Sequence, residues 1–91
     1  MYKFQEFYIP ERMMGAIDRY VKLGIHPGGF LEAVICNNFS GAVSRADEEN
    51  MRNLPAYAAY FFNEVPFDCW GSREVMDAWM KEKGGKTWNT T

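Results

Sequence analysis

The chain has 91 residues with 10 Lys and Arg against 12 Asp and Glu, a formal charge of −2, and 47% hydrophobic residues including 7 Phe, 5 Tyr and 3 Trp. That balance excludes the basic footprint of a duplex-nucleic-acid binder, and no apolar run approaches the roughly 18 residues a membrane span needs. The two cysteines, Cys36 and Cys69, are too few for a disulfide framework, so a reducing cytoplasm is expected.

One domain, residues 1–91, is expected from this length. So small a domain buries only about two-thirds of its unfolded surface. Self-association is a common remedy, so a homo-oligomer is expected. The N-terminal residues lack the apolar run of a signal peptide.

Residues 1–9 are expected to form a short extended arm in which Tyr2, Phe4, Phe7 and Tyr8 alternate loosely with Lys3, Gln5 and Glu6. Its rings are expected to pack on the body of the protein or on a neighbouring subunit. A first helix is predicted from Pro10 to Leu23, with Met13, Met14, Ile17, Tyr20 and Val21 as its apolar stripe. Pro10 suits a helix start and Gly24 a helix end. A second helix is predicted from Pro27 to about Asn37–Phe39. It is apolar nearly all round, with Glu32 the only acid between Lys22 and Arg45. Such a helix is buried, and the others are expected to wrap around it. Ser40-Gly41 is expected to break it, leaving Ala42–Ala46 as a short turn of helix or a tight loop.

A third helix is predicted after an Asp47 N-cap, with Glu48 and Glu49 placed to complement its dipole. Met51, Leu54, Ala58, Phe61, Phe62 and Val65 keep helical phase through Pro55. Two pieces are therefore expected, 48–53 and 55–64, kinked or broken at Pro55. A fourth helix follows a Ser72 N-cap, burying Val75, Met76, Trp79 and Met80. Gly84-Gly85 is expected to stop it, so residues 10–83 make the helical core and residues 84–91, with Trp88, a loose tail. The expected fold is all-α: a small bundle of about four helices around a buried central one.

No catalytic or metal motif is complete, and no cofactor is expected. Gly28 and Gly29 could present backbone N–H groups to a phosphate, although two adjacent glycines more often make a tight turn. His26 is the single histidine and fits a turn or N-cap. Asp47, Glu48 and Glu49 could hold Mg²⁺, but the plainer expectation is helix capping, with Arg45 pairing one of the glutamates. Arg12, Arg19, Arg45, Arg52 and Arg73 suit bidentate phosphate recognition, and Tyr8, Tyr20, Tyr57, Tyr60 and Trp70 could stack on a base. The first two helices resemble a helix-turn-helix, but the second offers Phe30, Leu31, Ala33, Val34 and Ile35 where base-reading side chains belong. Sequence-specific DNA binding is therefore rejected.

Taken together, Ile9-Pro10-Glu11-Arg12-Met13-Met14, Gly24 with Pro27-Gly28-Gly29-Phe30-Leu31-Glu32-Ala33-Val34, Arg45-Ala46-Asp47 with Asn50, and Cys69-Trp70-Gly71-Ser72 resemble a small accessory protein family of bacteriophages and prophages. The likeness spans roughly residues 9–80 and brings no catalytic residues with it. It implies a phage origin and expression in the cytoplasm of the bacterial host. By analogy with small phage accessory proteins, it implies action by binding, against a host defence protein or a defence signalling nucleotide. The leading expectation is a non-enzymatic phage protein that counters host defence by sequestering a nucleotide signal. Arg12, Arg19, Arg45 and Trp70 would bind it, with Gly28 and Gly29 as phosphate donors. The alternatives are a protein–protein inhibitor of a host defence complex, a small metal-dependent nucleotide hydrolase using Asp47, Glu48 or Glu49, and a virion component.

Overall fold

The computed structural model describes residues 1–88, and the side chains of residues 1–84. Among them are six α-helices: α1 (Glu11–Leu23), α2 (Gly29–Ile35), α3 (Phe39–Arg45), α4 (Glu48–Arg52), α5 (Leu54–Asn63) and α6 (Arg73–Trp88). A two-stranded antiparallel hairpin, β1 (Lys3–Phe4) and β2 (Phe7–Tyr8), precedes them, and a 3-10 helix, Phe67–Cys69, links α5 to α6. None of the helices is long and apolar enough to cross a membrane.

The expected arm is this hairpin. Lys3 pairs with Tyr8 and Phe4 with Phe7, and Gln5 makes the turn at φ 56°. The hairpin packs on α5, with the Tyr2 ring edge-on to Tyr60 at 5.0 Å. So the fold is mostly helical rather than wholly so.

The first helix follows its pattern. Ile17 and Tyr20 are buried, Met13, Met14 and Val21 are partly buried, and Gly24 closes the helix in the left-handed conformation at φ 69°. Trp79 of α6 donates its indole N–H to the carbonyls of Tyr20 and Val21 at 3.2 Å each. The Tyr20 hydroxyl donates to the Cys69 carbonyl at 2.7 Å. One tyrosine thereby joins α1, α6 and the 3-10 helix.

The second helix is shorter than its composition predicts. It starts after Gly28, whose φ of 98° and ψ of 163° only glycine adopts readily. It ends where Asn37 turns left-handed at φ 59°. The N–H groups of Asn37 and Asn38 then take the carbonyls of Val34 and Ala33, the double hydrogen bond of a Schellman ending with asparagine in glycine's place. The Asn38 side chain immediately caps α3 by accepting from the Gly41 N–H at 3.0 Å. That cap is why Ser40-Gly41 lies within α3 instead of breaking a helix. Phe30, Leu31, Ala33 and Ile35 are buried, whereas Val34 is half-buried and borders an opening. The helix is therefore not wrapped on all sides.

Beyond Asp47 the two expected pieces are present, and the chain is broken at the join. Asn53 ends α4 and begins α5. It is buried, with its amide oxygen accepting from the Tyr8 N–H and its NH₂ donating to the Glu49 carbonyl, both at 2.9 Å. Restarting the helix there changes its phase. In α5, Ala56, Tyr57, Ala59 and Phe61 are buried, while Ala58 and Phe62 face outward, the latter at 77% exposure; Met51, before the break, is exposed as well.

Ser72 caps α6 as expected, accepting from the Val75 N–H at 3.1 Å. Met76 and Trp79 are its buried anchors. Gly84-Gly85 does not stop it: α6 continues to Trp88. Glycine weakens a helix by about 1 kcal/mol but does not forbid helical geometry, and Gly84 lies where the end of α1 meets α6. The expected tail beyond residue 88 falls outside the described residues.

Candidate functional site

Three pieces of chain meet around an opening. The first is the α2–α3 corner set by Asn37 and Asn38. The second is the outer side of α5. The third is Trp70, on a loop held by the Gly71 N–H, which donates to the Ile35 carbonyl at 2.7 Å. Between them lies a pocket of about 300 Å³.

Its walls are Ala33 and Val34 of α2, Phe39 and Ala42 of α3, and Leu54, Pro55 and Ala58 of α5. Tyr57 forms the inner wall, held by the hydrogen bond its hydroxyl donates to the Asn50 amide oxygen at 2.6 Å and by the edge-on Phe30 ring at 5.1 Å. Trp70 closes one side, tilted against Phe61 with ring centroids 6.1 Å apart. Only Asn37 and Asn38 bring amides to the lining, and the Asn38 oxygen is already occupied as the α3 cap. No lining side chain is charged. Phe39 stands at the rim, 76% exposed.

The residues expected to form one phosphate-and-base site are dispersed. Trp70 lines the pocket. Gly29 and Arg45 meet each other, since a Cβ on Gly29 would lie 3.4 Å from the Arg45 Cδ. Gly28 is close by in sequence, but its N–H donates to His26 Nδ1 at 3.1 Å. Gly28 and Gly29 open a helix of only seven residues. Arg19 extends along its own helix across Gly15. Arg12 is bound elsewhere, to Asp47 Oδ2 at 2.9 Å and Glu49 Oε1 at 3.0 Å. Arg45 does not pair with the glutamates as expected: Arg12 holds Glu49, and Arg52 reaches Glu48 at 3.7 Å. The Arg45 guanidinium instead donates to the Gly41 carbonyl at 3.3 Å, and among the described residues it has no acidic partner.

The acidic segment has a structural role. Asp47 caps α4, accepting from the Asn50 N–H at 2.8 Å. That backbone bond, aided by Arg12, holds its carboxyl below the usual range. Glu49 is also held low, first by the Tyr8 hydroxyl at 2.7 Å and then by Arg12. Glu32 is lowered chiefly by its hydrogen bond from Arg73, with His26 Nε2 at 3.7 Å on its other oxygen. Among the described residues, no three His, Cys, Asp or Glu side chains gather as a metal site. Burial pushes the Cys69 thiol up to about 11 and raises Cys36 as well, so neither is poised as a nucleophile.

These lowered carboxyls set a pH dependence. Each is more acidic folded than unfolded, so its stabilisation is complete above the ordinary carboxylate range and is lost as pH falls through the folded value. The melting temperature is expected to hold from neutral pH to about pH 5 and to drop below it. Asp47→Asn, which retains a good capping side chain, and Glu49→Gln should each flatten that drop in melts between pH 3 and 7. An unchanged slope in both variants would contradict the assignment.

The sequence missed Phe39, Ala58 and Val34 as site residues. A signal was present: the third helix carries more apolar positions than one buried stripe needs. Comparison with family models, with curated proteins and with solved structures finds no match to this chain.

Proposed function

We propose that this chain acts by binding rather than by catalysis, as a phage accessory protein that docks on a host defence protein in the bacterial cytoplasm. The observation that supports the reading is the open, uncharged pocket between the α2–α3 corner and α5, with exposed Phe39 at its rim. Such a pocket gains free energy by taking an apolar side chain out of water, at about 25 cal/mol per Å². Interfaces concentrate their energy in a few anchors of this kind. A nucleotide would bring phosphates to a lining without a cation, which makes nucleotide sequestration the second reading. It is favoured by the Trp70 and Tyr57 rings and by Arg45, which has no acidic partner among the described residues and lies about one helical turn away along α3.

Ala58→Arg tests the first reading, because Ala58 is exposed and its side chain would fill the mouth. Tagged wild-type chain and Ala58→Arg, both folded by circular dichroism, are passed over bacterial lysate. A host protein retained in stoichiometric amount by the wild type and lost by the variant is the expected result. Identical capture by the two would remove the pocket from the binding surface. Native mass spectrometry with a panel of cyclic and linear nucleotides tests the second reading: added, unaltered ligand masses that vanish in Arg45→Ala would favour it.

A further inference from the structure

We infer that the pocket receives an amphipathic α-helix of a partner protein, one that seats a large apolar side chain and sets an acidic side chain against Arg45. This deepens the docking reading above and rests on it.

Backbone hydrogen bonding selects a helix. An extended segment lying on the pocket would bring its own N–H and C=O groups onto a lining that can answer them only at the Asn37 amide and the Asn38 NH₂. The last carbonyls of α2 are spent: Ala33 on Asn38, Val34 on Asn37 and Ile35 on Gly71. Pro55, on the opposite wall, has no N–H. The β1–β2 hairpin, the only sheet among the described residues, does not line the pocket, so strand addition has no edge to use there. A helix satisfies its backbone internally and presents only side chains, the helix-in-groove mode of recognition. At about 300 Å³ the pocket is at the small end for whole ligands, a size suited to one or two large side chains.

Charge complementarity selects the acid. No formal charge occurs from Ala33 to Ser44 or from Asn53 to Asn63, the stretches that supply all of the lining except Trp70. Arg45 is the first charge beyond the α3 wall. It follows the lining residue Ala42 by three positions, and its stem runs over Gly29 at the start of α2. The neighbouring acids are engaged by Arg12 and Arg52. A cation three positions beyond the neutral lining, with no acidic partner among the described residues, favours a partner carboxylate three to seven positions from the apolar anchor, on the same helix face.

A display library of random 16-residue peptides, selected on the full chain and deselected on Ala58→Arg, tests this directly. Expected are peptides with apolar residues at helical spacing and an Asp or Glu three to seven positions from the anchor. For a synthetic peptide of that kind, Ala58→Arg should weaken binding roughly 100-fold and Arg45→Glu roughly 10-fold. Exchanging the peptide's acid for Lys should restore binding to Arg45→Glu. Pocket-dependent peptides that lack helical periodicity, lack the acid or ignore Arg45→Glu would overturn this inference and leave the docking reading standing. A library yielding nothing sensitive to Ala58→Arg would overturn both. A dimer in sedimentation that Ala58→Arg dissociates would give the pocket to a second copy of the chain and likewise overturn the inference.

Discussion

Tyr20→Ala is expected to lower the unfolding free energy by about 3–5 kcal/mol, a large part of the 5–15 kcal/mol typical of a domain. Tyr20 is fully buried, and removing its ring leaves a cavity where α1, α6 and the 3-10 helix converge. It also strands the Cys69 carbonyl, which accepts the phenol at 2.7 Å. Burial raises the phenol well above its ordinary pKa, so it remains a donor at every working pH. Tyr20→Phe separates the two contributions: it keeps the ring and loses the hydrogen bond, for an expected cost of about 1–3 kcal/mol. Urea unfolding of both variants gives the comparison. Equal losses would mean that the ring contributes little packing, contrary to the geometry.

Gly24→Ala is expected to cost about 2–5 kcal/mol, from two separate causes. The first is conformational: Gly24 sits at φ 69°, where a Cβ costs roughly 1–2 kcal/mol. The second is contact: the new methyl would lie 2.9 Å from the Gly84 backbone nitrogen, 2.9 Å from the Lys83 Cβ and 3.1 Å from the Met80 carbonyl oxygen. Two of those atoms are backbone, so α1 and α6 must separate to admit it, and overpacking of that kind adds about 1–3 kcal/mol. A thermal melt within a degree of wild type would show that the two helices do not meet there.

Local chemistry explains what was legible in advance. Pro10, Gly24, Asp47 and Ser72 mark helix ends by their own backbone preferences and hydrogen-bonding groups, and all four stand at the ends of helices. The stripe Met13, Met14, Ile17, Tyr20 and Val21 points inward because its spacing matches the helical repeat. The N-terminal arm was seen as extended, but its hairpin was not, since Gln5 had to turn at positive φ without the Asn-Gly or Asp-Gly pair that announces such turns.

The misjudged elements share a cause. Asn37 and Asn38 end one helix and cap the next, a role asparagine shares with many ordinary loop positions. Gly84-Gly85 resembles a stop signal, but Gly84 lies within α6 beside Gly24. Asn53 resets the phase of α5 through bonds to Tyr8 and Glu49, 45 residues back and four residues back in the chain. The single candidate site assembled from Arg12, Arg19, Arg45, Gly28, Gly29 and Trp70 disperses for the same reason: spacing does not say which acid an arginine will meet.

By itself, then, the sequence determined a mostly helical fold, the helix ends built from local caps, and the buried side of α1 and α6, because these depend on backbone preference and periodicity over a few residues. Only the tertiary structure decided that Arg12 closes on Asp47 and Glu49 while Arg45 has no acidic partner among the described residues, and that Ala58 and Phe62 face outward. It also decided that Trp70, Tyr57 and Phe39 surround an uncharged pocket. Those outcomes rest on contacts between segments 12 to 45 residues apart, whose geometry no local pattern carries.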